Sequence, residues 1–414
     1  MKNTTIALSG LLSTILSACG TPDFGGAASS AKATGDPVQI LVLSNRADII
    51  SGGDALVEVL IRPSADASTL KLDVDGRDVN QQVLLRDNGR VMGVVSGLAL
   101  GDNQLTARLP DGRGAYITLT NHPLGGPVFS GPQIQPWTCS GGDDAQCNRA
   151  PVYTYEYMSV TGGAFQTYDP ANPPVDVGTT TTDQGKTVPY IVRVETGAID
   201  RDEYRIAALY DPAEPAYNAW DERDGFNGKI VIFHGASCDT AYEMASAPDV
   251  MNAVALGRGF ITMSHALNNA GHNCNIATQA ESMIMTKEYL IERYGELRYT
   301  IGSGCSGGAL AQQQVANAYP GFYQGITPAC SFTDAWSSAQ QYVDYRALRE
   351  YFENPAGWGT GVAWEPLSIA ALEGHPNPVN PVTFTEAIPY SGDPSRSCPG
   401  VPADQVFDEN TNPT

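Results

Sequence analysis

A serine set among glycines, between a β-rich run and a helical one, constrains this chain more than any other feature. The stretch Ile301-Gly302-Ser303-Gly304-Cys305-Ser306-Gly307-Gly308-Ala309-Leu310 contains Gly-x-Ser-x-Gly with Ser306 at its centre. In that pattern the serine sits on a tight strand-to-helix turn, where small neighbours let backbones approach and leave the hydroxyl exposed above a sheet. Glycine supplies 43 of the 414 residues, so the pattern carries weight only if its surroundings agree.

They do agree. Lys229-Ile230-Val231-Ile232-Phe233 is an apolar, β-rich run leading straight into His234-Gly235-Ala236, as expected of a buried parallel strand entering an oxyanion loop. A helical stretch is expected near 240–256, followed by a strand at Phe260-Ile261-Thr262-Met263. Thr278-Gln279-Ala280-Glu281 matches a capping box, and Ile284, Leu290, Ile291 and Tyr294 recur at helical spacing until Gly295. Tyr299-Thr300-Ile301 is the next strand, helix 307–318 stops before Pro320, and Tyr323-Gln324-Gly325-Ile326-Thr327 supplies a fourth strand. The alternation predicts a mostly parallel, doubly wound sheet of α/β-hydrolase type.

Attack by Ser306 on a carbonyl builds an oxyanion that needs preorganised N–H donors. The sequence offers the amide of Gly307, at a helix N-terminus, and those of Gly235 or Ala236, on the loop after the first strand. The acid and base are less evident. Their usual order is serine, then Asp or Glu, then His. Only His375 follows Ser306, in the Pro-rich Glu373-Gly374-His375-Pro376-Asn377-Pro378, which reads as a surface loop because no apolar strand leads into it. Asp334 is a candidate acid and equally a helix cap. His234 is expected to line the oxyanion loop rather than act as base. After Thr327 come aromatic, helix-like residues 332–352 and then Gly- and Pro-rich loops. A lid insertion from about residue 331 is expected, in a piece of a longer hydrolase that is inactive or poorly stable by itself.

The amino terminus assigns a compartment. Met1-Lys2-Asn3, an apolar stretch from Ile6 to Leu16 and then Leu16-Ser17-Ala18-Cys19 read as a bacterial lipoprotein signal, residues 1–18, with lipid attachment at Cys19. The stretch is too short to span a bilayer as a mature helix. An extracytoplasmic, membrane-anchored protein is therefore expected. Cys139, Cys147, Cys238, Cys274, Cys305, Cys330 and Cys398 remain, an odd count for an oxidising compartment. Cys139 with Cys147 and Cys238 with Cys274 are candidate disulfides; Cys305 could pair with Cys330 or with a cysteine outside this chain. A zinc site from His234, Cys238, His272 and Cys274 is disfavoured by the compartment, so no metal or cofactor is expected.

Residues 19–37 are rich in Gly, Ala, Ser and Pro and read as a flexible tether. From 38 to 122, short alternating runs such as Leu70, Leu72 and Val74 between Lys71, Asp73 and Asp75 recur with turn signals Asp75-Gly76 and Asn88-Gly89. They predict an immunoglobulin-like β-sandwich. Residues 123–150 read as a linker and 151–414 as the hydrolase-like domain. With 24 basic and 45 acidic residues the net charge is −21, which argues against nucleic acid or anionic membrane faces as partners.

Val42-Leu43-Ser44-Asn45-Arg46-Ala47-Asp48, Ser51-Gly52-Gly53-Asp54-Ala55, the run from Thr120 to Pro132 and the block from Gly302 to Asp334 resemble the secreted bacterial domain-of-unknown-function family 6351. The resemblance covers nearly the whole chain and implies an α/β-hydrolase-type fold in proteins that continue well past the equivalent of Thr414. More locally, Gly304-Cys305-Ser306-x-Gly308 is similar to tannases and feruloyl esterases. That similarity implies a cysteine beside the catalytic histidine as the partner of Cys305, and a phenolic ester as substrate. The function expected is an ester-cleaving serine hydrolase; the alternatives are an amidase or peptidase, or a non-catalytic surface-binding lipoprotein on a degenerate hydrolase scaffold.

Overall fold

Alternating apolar and polar residues build nine strands between Val38 and His122: β1 (Val38–Val42), β2 (Ile50–Ser51), β3 (Asp54–Ile61), β4 (Lys71–Val74), β5 (Arg77–Asp78), β6 (Leu84–Leu85), β7 (Val91–Ser96), β8 (Gly101–Arg108) and β9 (Gly114–His122). In β4, Leu72 and Val74 are buried while Lys71 faces solvent, the two-residue period of a half-buried strand. Asp75 and Gly76, at φ 49° and 84°, make the left-handed two-residue turn into β5. The computed structural model describes residues 38–62, 65–141, 144–237, 239–332, 344, 347–349, 351–352 and 354–373. Residues 1–330 and 331–414 form two compact units.

The nine strands form two sheets, ordered β1-β3-β7-β6 and β2-β9-β8-β4-β5. All pairings are antiparallel except that of β2 with β9. Ile40, Val57 and Val95 of the first sheet share one core with Leu72, Leu105 and Leu119 of the second. Leu56 and Met92 point out of that core, onto Ala219 and Ile291.

The rest of the first unit is organised by one larger sheet. Its chain contributes β10 (Val152–Tyr157), β11 (Gln166–Thr167), β12 (Thr179–Thr181), β13 (Thr187–Pro189), β14 (Ile191–Ile199), β15 (Asp202–Leu209), β16 (Lys229–Phe233), β17 (Ile261–His265), β18 (Tyr299–Cys305) and β19 (Gly325–Ala329). Eight of them run in the order β11-β10-β14-β15-β17-β16-β18-β19, and β12 pairs with β13 apart. Helices α1 (Ala253–Gly257), α2 (Ile276–Tyr294) and α3 (Gly307–Ala318) complete it. Alternate residues of β15 divide the two faces: Ala207 and Leu209 pack with Leu256 of α1, whereas Ile206 and Ala208 pack with Met283 and Leu290 of α2 and Val315 of α3.

The expectation of a mostly parallel sheet is corrected. Three pairings, β17 with β16, β16 with β18 and β18 with β19, are parallel, and the other four are antiparallel. The β14–β15 hairpin escapes a sequence reading for two reasons. Its tip is Asp200-Arg201, at φ 48° and 58°, with no glycine to advertise the turn. Its first strand is buried on both faces, so its apolar residues do not alternate.

Three local expectations are also revised. The helix near 240–256 reduces to α1, because the preceding backbone bonds elsewhere: Met244 N donates to Thr138 O, Ala245 N to Asp202 and Ala247 N to Glu203. Helix α2 is capped by Asn275, whose side chain accepts from the amides of Ala277 and Thr278, and not by Thr278. Glu281, the supposed box partner, turns inward instead. It accepts from the amides of Val128 (2.8 Å), Phe129 and Ser130 (2.7 Å) and from the Ser130 hydroxyl (2.6 Å), pinning the segment after β9. Strand β19 begins at Gly325, because Tyr323 packs on His234 and Gln324 Oε1 accepts from Thr300 N at 2.7 Å.

In the second unit, Phe352 is buried against the rings of Tyr351 and Trp364, Trp358 Nε1 donates to the Tyr351 carbonyl, and a helix spans Pro366–Glu373.

Candidate active site

Strand β18 ends at Cys305 and α3 begins at Gly307, leaving Ser306 alone to turn the chain. It does so at φ 56° and ψ −119°, a combination that a residue with a side chain rarely adopts. Three backbone bonds hold it there. Ser306 N donates to Ala329 O of β19 at 3.0 Å, and Ser306 O accepts from Ala309 N at 2.9 Å and Leu310 N at 3.0 Å in the first turn of α3. The side chain makes no capping bond and is half-exposed.

The glycines around it are required by proximity. A Cβ on Gly304 would lie 2.9 Å from His234 Cβ, and one on Gly308 would lie 2.9 Å from His234 O. One on Gly307 would fall 1.7 Å from Ser237 O. The Gly-x-Ser-x-Gly pattern thus lets the His234–Ser237 loop, which leaves β16, pass directly over the start of α3. Gln312, fully buried one turn into α3, fastens the same corner: Nε2 donates to Gly304 O (3.2 Å) and Gly308 O (3.1 Å), and Oε1 accepts from Thr327 N (3.1 Å). Nothing in the sequence singled Gln312 out, because a lone glutamine on a helix reads as surface.

Among the described residues, the amides of Gly307 and Ala236 have no acceptor in the protein. The first is one of the amides that a helix N-terminus leaves open, where the helix dipole favours negative charge. Gly235 is bridged to Asn269 of the loop after β17, with Ala270 N donating to Gly235 O at 3.3 Å. Ala236 and Ser237 are exposed, and Ser237 takes φ 74° to bring its carbonyl against Gly307.

No described histidine is bonded to Ser306. His234 is buried beneath the elbow with Nε2 at 2.6 Å from the Tyr323 hydroxyl and Nδ1 without a partner. Burial lowers its pKa to about 3, so the ring is neutral. His265 Nδ1 accepts from Leu267 N and its Nε2 bonds Ile199 O, which uses both nitrogens. His272 Nε2 is 2.8 Å from Asp202 Oδ2, in a buried pair that ties the loop after β17 to the β14–β15 hairpin. His122, in the sandwich, bonds Asp48 O. His375 and Asp334 lie outside the described residues, as do Cys19, Cys238 and Cys398.

Cys139 and Cys147 are joined in a disulfide. Cys274 is also disulfide-bonded. Cys305 and Cys330 are free and exposed. Among the described residues, no group of three or more His, Cys, Asp or Glu side chains could hold a metal ion.

The chain belongs to a tannase-like family of unknown function (DUF6351), whose model matches residues 40–414. No curated protein matches it significantly. Solved structures similar to it include feruloyl esterase B from Aspergillus oryzae, at 14% identity over 48% of this chain and 36% of that one, with a TM-score of 0.27. Oligopeptidase B from Leishmania major matches at 10% identity over 69% and 47% of the two chains, with a TM-score of 0.25. The rice cell wall degrading esterase LipA from Xanthomonas oryzae matches at 12% identity over 53% and 62%, with a TM-score of 0.24. The chain thus spans between 36% and 62% of the length of these proteins.

Proposed function

We propose that this member of the tannase-like family is a serine hydrolase of carboxylic esters, with Ser306 as nucleophile. The observation that carries the reading is the backbone of Ser306, held at φ 56° and ψ −119° between β18 and α3 by neighbours that tolerate no Cβ. Strain of this kind costs on the order of 1–3 kcal/mol and persists where it presents a side chain. Ser306 Oγ attacks the ester carbonyl, the oxyanion is received by the open amides of Gly307 and Ala236, with Gly235 as the neighbouring donor, and the alcohol departs with a proton. The base lies outside the described histidines, each of which is committed elsewhere; His375, with Asp334 as its acid, is the pair this sequence offers. A phenolic acid ester is the substrate class that the family's tannase-like character favours.

A fluorophosphonate probe tests the nucleophile. The complete protein should be labelled at Ser306 and its Ser306→Ala variant should not; label persisting in that variant would refute the assignment. A folded chain that takes no label supports the non-catalytic binding reading instead. Paired ester and amide substrates of one acyl group separate an esterase from an amidase or peptidase, since both use the same nucleophile.

Two further parts of the proposal rest on other observations. The orders β1-β3-β7-β6 and β9-β8-β4 match the A-B-E-D and G-F-C sheets of an immunoglobulin-like sandwich, and support that assignment for residues 38–122. The lipobox at Leu16-Ser17-Ala18-Cys19 supports an extracytoplasmic lipoprotein anchored through Cys19. Metabolic incorporation of an alkyne fatty acid that is abolished in Cys19→Ser is the result expected. Equal incorporation in the variant would remove the anchor.

A further inference from the structure

A polar cavity opens beside the tip of the β14–β15 hairpin. With the solvent at its mouth included it measures about 540 Å³, a size usual for small-molecule sites. Its wall is drawn from distant parts of the chain: Trp137 after β9, Asp200 and Arg201 of the hairpin tip, Thr240 after β16, and Asn273 and Thr278 around the start of α2. Asp200 and Arg201 are only 1% and 6% exposed. Yet three of these residues each keep one buried polar atom without a partner: Trp137 Nε1, Asp200 Oδ2 and Arg201 Nε. Other atoms of the same side chains are bonded. Arg201 Nη1 donates to Ile134 O at 2.9 Å, its guanidinium lies 4.1 Å from the centroid of the Trp137 ring, and Asp200 Oδ1 accepts from Gln133 Nε2 at 3.5 Å. Buried polar atoms nearly always have a partner, so three unbonded ones from the wall of a single cavity point to an occupant.

The surrounding charges select the chemistry of that occupant. Burial, and after it the carboxylate of Glu281, holds Asp200 well above the usual carboxylate range, so its carboxyl is neutral. The charge of Arg201 is offset by Asp202 and Glu281, which are themselves bonded to His272 and to three backbone amides. An anion would be repelled by those two carboxylates. A cation could not accept from Trp137 Nε1 and Arg201 Nε, which only donate. A hydroxyl carries no charge and both donates and accepts, so it can bond either N–H and also Asp200 Oδ2, whichever oxygen of that carboxyl holds the proton. We propose that the cavity binds a small neutral polyhydroxyl compound, whose hydroxyls bond Trp137 Nε1, Arg201 Nε and the carboxyl of Asp200. Binding needs no reaction at Ser306, so its test and that of the proposed function fail independently.

Xylitol is the probe, titrated into the complete protein carrying isotope-labelled tryptophan. The indole N–H resonance of Trp137, identified by its loss in Trp137→Phe, should shift saturably with a Kd on the order of 1 mM. Trp137→Phe keeps an aromatic ring and removes the donor; by calorimetry it should bind xylitol about tenfold more weakly. Arg201→Lys keeps the charge and removes Nε–H, with a similar loss expected, and calorimetry on it gives the answer if Trp137→Phe does not fold. Three results would overturn the proposal. The first is no saturable binding of xylitol up to about 100 mM. The second is acetate or tetramethylammonium shifting the Trp137 resonance at lower concentration than xylitol does. The third is a folded Trp137→Phe or Arg201→Lys protein that binds xylitol as tightly as the wild type.

Discussion

Replacing Gly307 by alanine sets two well-defined effects against each other. Gly307 opens α3 without a positive φ, so helix propensity alone favours Gly307→Ala by up to about 1 kcal/mol. The added Cβ, however, would sit 1.7 Å from Ser237 O and 3.0 Å from Ala270 Cβ. An ordinary carbon–oxygen contact is roughly 3.3 Å, so the Ser237 carbonyl must retreat by roughly 1.5 Å. Overpacking of this size costs about 1–3 kcal/mol, which cancels or exceeds the propensity gain. The chemical effect is larger. Oxyanion donors act only at about 2.7–3.1 Å, and a loop moved by half that length takes the Ala236 amide out of range. Loss of one such donor lowers turnover by about 10²–10³-fold, or about 2.7–4 kcal/mol. The assay is the rate of fluorophosphonate labelling at Ser306, read beside a thermal melt. Gly325→Ala in β19 is the control, since a Cβ there meets nothing within 4 Å. A Gly307→Ala chain that melts higher than the wild type and is labelled at an unchanged rate would refute both the position of the loop and its role.

Stability should form a plateau in pH. His234 is neutral in the fold, its pKa lowered from 6.5 to about 3 by burial, so its contribution is complete above pH 6.5 and is lost as pH falls toward 3. Glu288 has the opposite sign: burial raises it from 4.5 to about 8 against hydrogen bonds from Asn45 and Ser51, so its contribution is complete below pH 4.5 and is lost as pH rises through 8. The slopes oppose between pH 4.5 and 6.5, and chemical denaturation should show up to about 1.4 kcal/mol lost per unit outside that window; Glu288→Gln should flatten the alkaline limb, and an unchanged limb would refute the assignment. Glu281→Ala leaves the amides of Val128, Phe129 and Ser130 without their acceptor and should cost about 3 kcal/mol, with new proteolytic cleavage near Phe129 as the readout. Gln312→Leu removes the donor to Gly304 O and Gly308 O and the acceptor for Thr327 N; a loss of about 2 kcal/mol and slower labelling of Ser306 are expected, and a melt equal to that of the wild type would show that α3 is fixed by other contacts.

The parts of the fold that were legible are those whose signals are local. β16 is a five-residue apolar run and α3 a helical run between a glycine pair and a proline, so both were readable in place. What was hidden depends on partners far away in the chain. Asp200-Arg201 reads as a charged loop, yet Asp200 N donates to Leu124 O and the tip is buried under the segment after β9, which is what lets two non-glycine residues hold left-handed angles. Glu281 fits a capping box by spacing, but its carboxylate is fully buried and accepts from three partly buried amides about 150 residues earlier, a set of charge-assisted bonds that one solvated cap bond does not match.

The same distinction explains why the tight turn at Ser306 could be read and its surroundings could not. A glycine forced by a close approach leaves a mark in the sequence, since no other residue fits; Gly304, Gly307 and Gly308 record the passage of the His234–Ser237 loop even though the loop itself lies 70 residues away. The groups that set the charge of the site leave no such mark. His234 has the spacing of an oxyanion-loop residue and the composition of a base, and only its burial beneath Gly304, beside the Tyr323 hydroxyl, fixes it as a neutral strut. A base must present a nitrogen that can take a proton near neutral pH, and burial without a counter-charge removes that capacity. The elbow and its open amides are therefore built within residues 234–329, whereas the proton acceptor that the proposed role of Ser306 requires would be a group other than the four histidines described there and in the sandwich.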